Sequence, residues 1–290
     1  MDFLPFCLRA SKIEPEGASQ MPFVTKAWED LTIRDDFIFK AVMYSKELCM
    51  GVLEAILNEP IHDIKYLGEE VSLKAGYASN GVRLDVYVED DAHTVYNVEM
   101  QVGAETDEEI AKRMRYYQAQ IDAEILKSGK DYSELRQTII IFICPFDPIG
   151  RGWHLYWYEN TCRRDATLKL KDGAIKIILN TRGTGDDISP QLRAFMDYVN
   201  RGILSSNPLV QAIDKRVKEV KQNEEARLSY MTLEMKLRDV RKDGLDEGKA
   251  LMMRIWKLLQ AKTPFADIAE ETHVSIDEVR QIAHEIGIVY

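Results

Sequence analysis

Two short segments of strict apolar–polar alternation, followed by a capped amphipathic helix and then a continuous β-branched run, constrain this chain more than any other feature. In the first, Arg83 to Val88, the residues Leu84, Val86 and Val88 point one way and Arg83, Asp85 and Tyr87 the other. In the second, Tyr96 to Gln101, Val98 and Met100 share a face, with Asn97, Glu99 and Gln101 opposite. The polar connector Glu89 to Thr94 suits a hairpin loop, so the two segments should pair. Thr106 then opens a helix whose capping box closes on Glu109. Its apolar stripe is Ile110, Met114, Tyr117, Ile121 and Ile125, and Gly129 supplies the stop. Gln137 to Cys144 reads as a strand buried on both faces. Strand, helix and buried strand in that order imply a crossover connection and therefore a parallel pair. The fold class is α/β, with a mixed central sheet flanked by helices.

Around this centre the pattern is looser. Residues 1–23, with Pro5, Pro15, Gly17 and Pro22, read as a leader, and Met21 is a candidate start for the ordered protein. Phe37, Phe39, Val42 and Met43 suggest a short helix, and Leu48, Val52, Leu53, Ile56 and Leu57 a second, stopped by Asn58 and Pro60. Strands are expected at Trp153 to Glu159, and at Thr167 to Lys171 and Ala174 to Leu179 on either side of an Asp172-Gly173 turn. Beyond Ser189 the character is helical, with a long charged stretch from Leu209 to about Gln260 expected to break at Gly244 and Gly248. Ile268, Ala269, Val274, Val279, Ile282 and Ile286 are placed to build a pair of helices around Thr272-His273. The resulting division is a leader (1–23), an α/β domain (24–205) and a helical C-terminal region (206–290) with a helix-turn-helix-like end.

No apolar run approaches the roughly 20 residues of a membrane-spanning helix, so no membrane partner is expected. Cys7, Cys49, Cys144 and Cys162 form no Cys-x-x-Cys pair, which indicates neither a disulfide framework nor a zinc finger, and a reducing cytoplasm is the expected setting. A net charge of −10 argues against coating nucleic acid through bulk charge. Local basic clusters survive that objection. Lys112, Arg113, Arg115, Lys127 and Lys130 form one, and Arg163, Arg164, Lys169, Lys171 and Lys176 another, although each also reads as a solvated face.

The chemistry concentrates on the paired strands. In an antiparallel hairpin, Asp85, Glu99 and Gln101 share one face, and Asp85 opposite Glu99 would place their Cβ atoms about 5 Å apart. Two carboxylates that close repel, and a hard cation such as Mg²⁺ (or Mn²⁺) resolves the conflict. Such an ion activates water and a phosphate for hydrolysis, while Gln101 is placed to orient the water or hold the phosphate. The plainer alternative is the wet face of an ordinary hairpin. The five histidines form no ligand pattern, and only His93, in the expected loop near the site, is of note.

The order Asp36-Phe37-Ile38-Phe39-Lys40, Arg83-Leu84-Asp85-Val86, Val98-Glu99-Met100-Gln101, Arg113-Met114-Arg115-Tyr116-Tyr117, then Leu126 to Gly129 with Tyr132, resembles the Rpn family of recombination-promoting nucleases within the PD-(D/E)XK superfamily. The resemblance spans roughly Asp36 to Tyr198. It implies a restriction-endonuclease-like fold and Mg²⁺-dependent cleavage of double-stranded DNA, in recombination, mobile-element movement or defence against foreign DNA. Asp85 and Glu99 correspond to its metal-binding acids, and Gln101 to the position where the wider superfamily usually carries Lys. An amide supplies a dipole instead of a charge, so a cation from elsewhere should compensate, with Arg113, Arg115 and Lys40 as candidates that could also contact DNA. Asp36 resembles the upstream acid and reads either as an accessory metal ligand or as a helix N-cap. Tyr117 reads first as core. Cleaving both strands calls for two sites, so a homodimer is expected.

Two other classes of function compete. One is a catalytically inactive nuclease-like module that binds DNA or protein and assembles through its helical tail. The other is a regulator reading DNA with that tail, which carries Asp267, Glu270, Glu271, Asp277, Glu278 and Glu285 against Arg280 alone and so favours packing, self-association or regulation over phosphate contact.

Overall fold

The computed structural model describes residues 26–67, 72–73, 82–103, 106–126, 131–185 and 188–288. The expected leader, Met21, Cys7, Lys127, Gly129 and Lys130 lie outside them. In chain order come α1 (Asp36–Met43), α2 (Lys46–Leu57), β1 (Ile64–Tyr66), β2 (Ser72–Leu73), β3 (Val82–Arg83), β4 (Val86–Asp90), β5 (Val95–Met100), α3 (Asp107–Ile125) and β6 (Thr138–Cys144). They are followed by β7 (Leu155–Tyr158), β8 (Thr161–Cys162), β9 (Asp165–Lys169), β10 (Ala174–Asn180), α4 (Pro190–Arg201), α5 (Pro208–Gln222), α6 (Glu224–Gln260), α7 (Phe265–Thr272) and α8 (Ile276–Glu285).

Six strands form the main sheet in the order β1-β4-β5-β6-β10-β7. β4 and β5 pair antiparallel, whereas β5 and β10 both run parallel to β6. The expected crossover is therefore present, with α3 as its helix, and its Thr106–Glu109 capping box satisfies the first-turn donors in both directions. All seven residues of β6 are buried, as its β-branched run predicts. Each large aliphatic buried there contributes roughly 1.5–3 kcal/mol, which is why this strand sits at the centre.

The two faces carry different helices. Val86, Val88, Val98, Met100, Ile139, Ile141 and Ile143 join the cluster built by α1, α2, α4 and α5. Ile140, Phe142 and Cys144 point the other way, against Ile110 and Met114 of α3, while Tyr87 and Val95 meet Ile121. The result is the α/β restriction-endonuclease-like core, with a helical region after it. α5 lies beyond residue 205, yet buries Val210, Ile213, Val217 and Val220 in the same cluster as the sheet.

Four local expectations need correction. Leu84 does not share the face of Val86: it packs with Tyr87, Val95 and Ile121, because the chain bends at Asp85 and breaks the alternation between β3 and β4. The segments flanking Asp172-Gly173 do not pair with each other. β9 folds back on β8, and β10 enters the main sheet between β6 and β7. Gly173, at φ +71°, is needed there, since a Cβ would lie 3.2 Å from Gln137 Cα. The long helix passes through Gly244 and Gly248 without interruption. A helix-interior glycine costs only about 1 kcal/mol, too little to stop a run with no proline. The break falls instead at Asn223, whose N–H closes α5 on Val220 and whose side chain accepts from Ala226 N at 2.9 Å to open α6. Finally, Ile286 is 39% exposed, and the tail core is completed from another source: Ile255 and Leu259 of α6 pack with Ile268, Val279 and Ala283. Among the described residues no helix is long and apolar enough to cross a membrane.

Candidate active site

The β4–β5 register pairs Val86 with Val98, and one further step sets Asp85 across from Glu99. The bend at Asp85 lets each acid grip the other's strand. Asp85 N donates to Glu99 Oε1 at 3.0 Å, and Met100 N donates to Asp85 Oδ2 at 3.3 Å. Both acids stand at the open end of the hairpin. The loop carrying His93 is at the other end, some five or six residues and about 20 Å away along the strand, so His93 is not near the site.

Burial dominates the electrostatics. Glu99 is 4% exposed, and burial first, then the charge of Asp85, push its carboxyl well above the ordinary value of 4.5. Asp85 is raised too, by burial and then by Asp36, with Lys40 opposing. Lys40 reaches across from α1, its Nζ 2.9 Å from Asp85 Oδ1 and 3.0 Å from Asp36 Oδ1. Burial alone would lower the lysine, but Asp85 and Asp36 outweigh it and hold the ammonium above its usual range. Asp36 is the first residue of α1 and not its N-cap, a position taken by Asp35, whose carboxylate accepts from Thr32 N at 2.7 Å.

Gln101 extends the same face and is 6% exposed. Its Oε1 accepts from Arg113 Nη1 at 2.6 Å, and its Nε2 donates to the Gly103 carbonyl at 3.3 Å. Arg113 also donates to Tyr117 Oη at 3.1 Å and lies 5.3 Å from the centre of the Phe142 ring. Tyr117 therefore does both things, packing edge-on against Phe142 and fixing the guanidinium through its hydroxyl. The structure brings together Asp85, Glu99, Lys40 and Asp36 in one chain of contacts, with Gln101 and Arg113 beside Glu99 on the α3 face. It does not bring Arg115 there. Two residues on from Arg113, Arg115 faces the other side of α3 and lines a groove of about 790 Å³ shared with Lys112, Tyr158 and Lys176.

One residue of the site was not singled out from sequence. Asn97 is fully buried two positions before Glu99 on the same face, and its side-chain amide acts on the Glu99 carboxyl, opposing the rise that burial causes. Its parity with Glu99 was the available signal, but alternation cannot tell a wet polar position from a dry one.

The donor set suits a hard cation. Two oxygen ligands on register-opposed positions carry raised carboxyls, and an ammonium already stands against one of them. Asp85 and Glu99 would hold such an ion, with Asp36 reaching it only if Lys40 yields. Among the described residues no three acids, histidines or cysteines close into a ready-made cage. An ion held by two carboxylates would keep several waters, as Mg²⁺ does when one or two protein carboxylates bind it.

Residues 33–153 match the family model described as PD-(D/E)XK nuclease family transposase. No curated protein and no solved structure matches the chain. The matched stretch runs from just before α1 to the loop after β6 and contains Asp36, Lys40, Asp85, Glu99, Gln101 and Arg113. Residues 33–153, the stretch that carries the paired acids, are thus similar to the nuclease-family transposases of the PD-(D/E)XK superfamily.

Proposed function

We propose that this protein is a divalent-metal-dependent endonuclease that hydrolyses phosphodiester bonds in double-stranded DNA, in the cytoplasm, during recombination, mobile-element movement or defence against foreign DNA. The observation that carries the reading is the meeting of Asp85 and Glu99 at the open end of the β4–β5 hairpin, where Asp85 N donates to Glu99 Oε1 and the two charges are unfavourable together without a cation. Mg²⁺ or Mn²⁺, when bound, supplies Lewis acidity to the phosphate and acidifies water. The protein supplies the remainder. Asp85 and Glu99 hold the ion, each fixed by the other strand's backbone. Gln101 presents its amide to the water or to a phosphoryl oxygen, and Arg113 fixes the amide's orientation. Arg113 thereby takes over part of the cationic role usually given to a lysine at position 101, and its planar fork also suits a phosphate. Lys40 offers a second cation to the DNA backbone. Cutting both strands makes the working species a homodimer.

The test is nicking or linearisation of plasmid in Mg²⁺. Wild type should cut, and Asp85→Ala and Glu99→Ala should not, with circular dichroism unchanged. Cleavage surviving in both variants overturns the assignment. A second reading, a nuclease-like module that retains DNA or protein without cutting, has one observation in its favour: Lys40 already satisfies Asp85 in the ion's place. It predicts DNA retention with no cleavage in Mg²⁺, Mn²⁺ or Ca²⁺.

A further inference from the structure

The row of strand ends that carries Gln101 continues across the sheet. Gln101 N donates to Ile143 O, Thr181 N to Cys144 O and Asn180 N to His154 O, each at 2.9 Å. The ends of β5, β6 and β10 and the start of β7 therefore lie side by side. At about 4.8 Å per strand, the end of β10 is roughly 10 Å from that of β5, and the start of β7 roughly 14 Å. One residue beyond this row stand Arg182, after β10, and Trp153, before β7, with Arg151 two residues ahead of Trp153 in the loop joining β6 to β7. All three are exposed, and Trp153 is so at 57% although it stacks on the buried Tyr156 with ring centres 5.6 Å apart. Neither guanidinium has an ion pair or a hydrogen-bond partner among the described residues. Arg163 and Arg164, in the β8–β9 turn, are equally unpaired, but β8 follows the far end of β7, where Tyr158 pairs with Lys176. Position, and not charge alone, separates the two pairs.

The loop bearing Arg151 and Trp153 is built to hold still. Its one acid, Asp147, accepts from Ile149 N at 3.2 Å, Gly150 N at 3.0 Å, Gly152 N at 2.7 Å and Tyr156 Oη at 2.9 Å. Gly150 and Gly152, at φ +73° and +72°, let the chain turn on either side of Arg151. Gly152 O accepts from Thr184 N and Trp153 O from Asn180 Nδ2, both at 3.0 Å, which ties the loop to the segment that carries Arg182. Phe146 and Ile149 pack on the α3-side cluster that includes Phe142 and Tyr156, and Phe142 is the register partner of Glu99. The loop thus stands at the same end and on the same face of the sheet as Glu99 and Gln101.

Two unpaired cations and an indole, displayed on a fixed backbone beside paired acids, suit a polyanion that also offers flat apolar groups. Each nucleotide advances about 3.4 Å along a duplex axis, so a span of roughly 10–14 Å corresponds to about three or four nucleotides. We infer that Arg151 and Arg182 bind backbone phosphates of DNA about three or four nucleotides from the bond cut at Glu99 and Gln101, with Trp153 packed against the sugar and base beside them. The inference rests on the nuclease reading and adds to it the direction in which the bound strand leaves the acids.

Fluorescence anisotropy of a short labelled duplex with the full chain, in Ca²⁺ and with KCl varied, tests it. Each phosphate contact contributes about 0.9 to the slope of log affinity against log salt concentration. Arg151→Ala combined with Arg182→Ala should therefore reduce that slope by about 1.8, whereas Arg163→Ala combined with Arg164→Ala should leave it at the wild-type value. All four side chains are exposed, so thermal melting should not move. Trp153→Ala should weaken binding ~10-fold at an unchanged slope, and Trp153→Phe, which keeps an aromatic ring on Tyr156, should restore most of the loss. An unchanged slope in the first pair, or an equal fall in the second, overturns the proposal; if wild type still nicks plasmid in Mg²⁺, the nuclease reading stands without it. Wild type that neither binds the duplex nor cuts overturns both. Trp153→Ala binding as tightly as wild type overturns the indole's part in the contact.

Discussion

At the loop end of the β4–β5 hairpin, Glu89 is buried but met by Arg136 at 2.5 Å and by His93 at 2.7 Å. At the open end, Glu99 is buried and faces another acid. Burial acts on both in the same direction. At Glu89 it is outweighed by the hydrogen bond from His93 and the charge of Arg136, and the carboxyl ends below its ordinary value. At Glu99 the next largest influence is Asp85, which adds to burial, and the carboxyl ends well above it. One hairpin thus holds a satisfied acid and a frustrated one. The first is a fastening between strand and loop; the second keeps a charge that burial and Asp85 oppose and that Lys40 and the Asp85 N–H offset only in part, and frustration of this kind concentrates at functional sites.

The largest contrast should be in activity. Asp85→Ala or Glu99→Ala should reduce plasmid cleavage ~100-fold or more, since several kcal/mol of transition-state stabilisation is at stake. Glu89→Ala, in the same assay, should stay within a few-fold of wild type. Next comes the amide's support: Arg113→Ala should cost about 10–100-fold in cleavage rate, the usual effect of removing a group that orients a site residue. Equal losses from Glu89→Ala and Glu99→Ala would erase the distinction between the two ends.

Stability should separate them with opposite signs. A carboxyl raised in the folded state favours folding at pH below its unfolded value and loses that contribution as pH rises through the folded value. Glu99→Gln should therefore stabilise the metal-free protein by roughly 1–3 kcal/mol at pH 8, with the gain vanishing below the ordinary 4.5. A lowered carboxyl does the reverse. Glu89→Gln should destabilise by about 1 kcal/mol at pH 7, and the loss should fade as pH drops through its folded value. Urea melts of both variants at several pH values read these changes directly.

Much of this was legible in the residues themselves. Period-two patterning set the faces of Val86, Val88, Val98 and Met100, and parity put Glu99 and Gln101 together. Thr106 and Glu109 announced the start of α3, and strand–helix–strand order required the parallel pair. What escaped is physically different. The bend at Asp85 flips Leu84, and no alternation rule anticipates a bend. The partnership of Lys40 with Asp85 joins elements 45 residues apart, so only tertiary packing reveals it. The glycines of α6 looked like breaks because propensity weighs them locally, while the helix is held at both ends by packing. The dryness of Asn97 depends on α3 covering it, which its own neighbours in sequence do not report.

Binding of Mn²⁺ to the protein without DNA, followed by isothermal titration calorimetry at pH 8, tests most directly whether Asp85 and Glu99 share one cation. Wild type and Glu89→Ala should each take up the ion at this site, and Asp85→Ala and Glu99→Ala should each lose it. Uptake unchanged in both of the latter, or no uptake by wild type, would contradict the shared site.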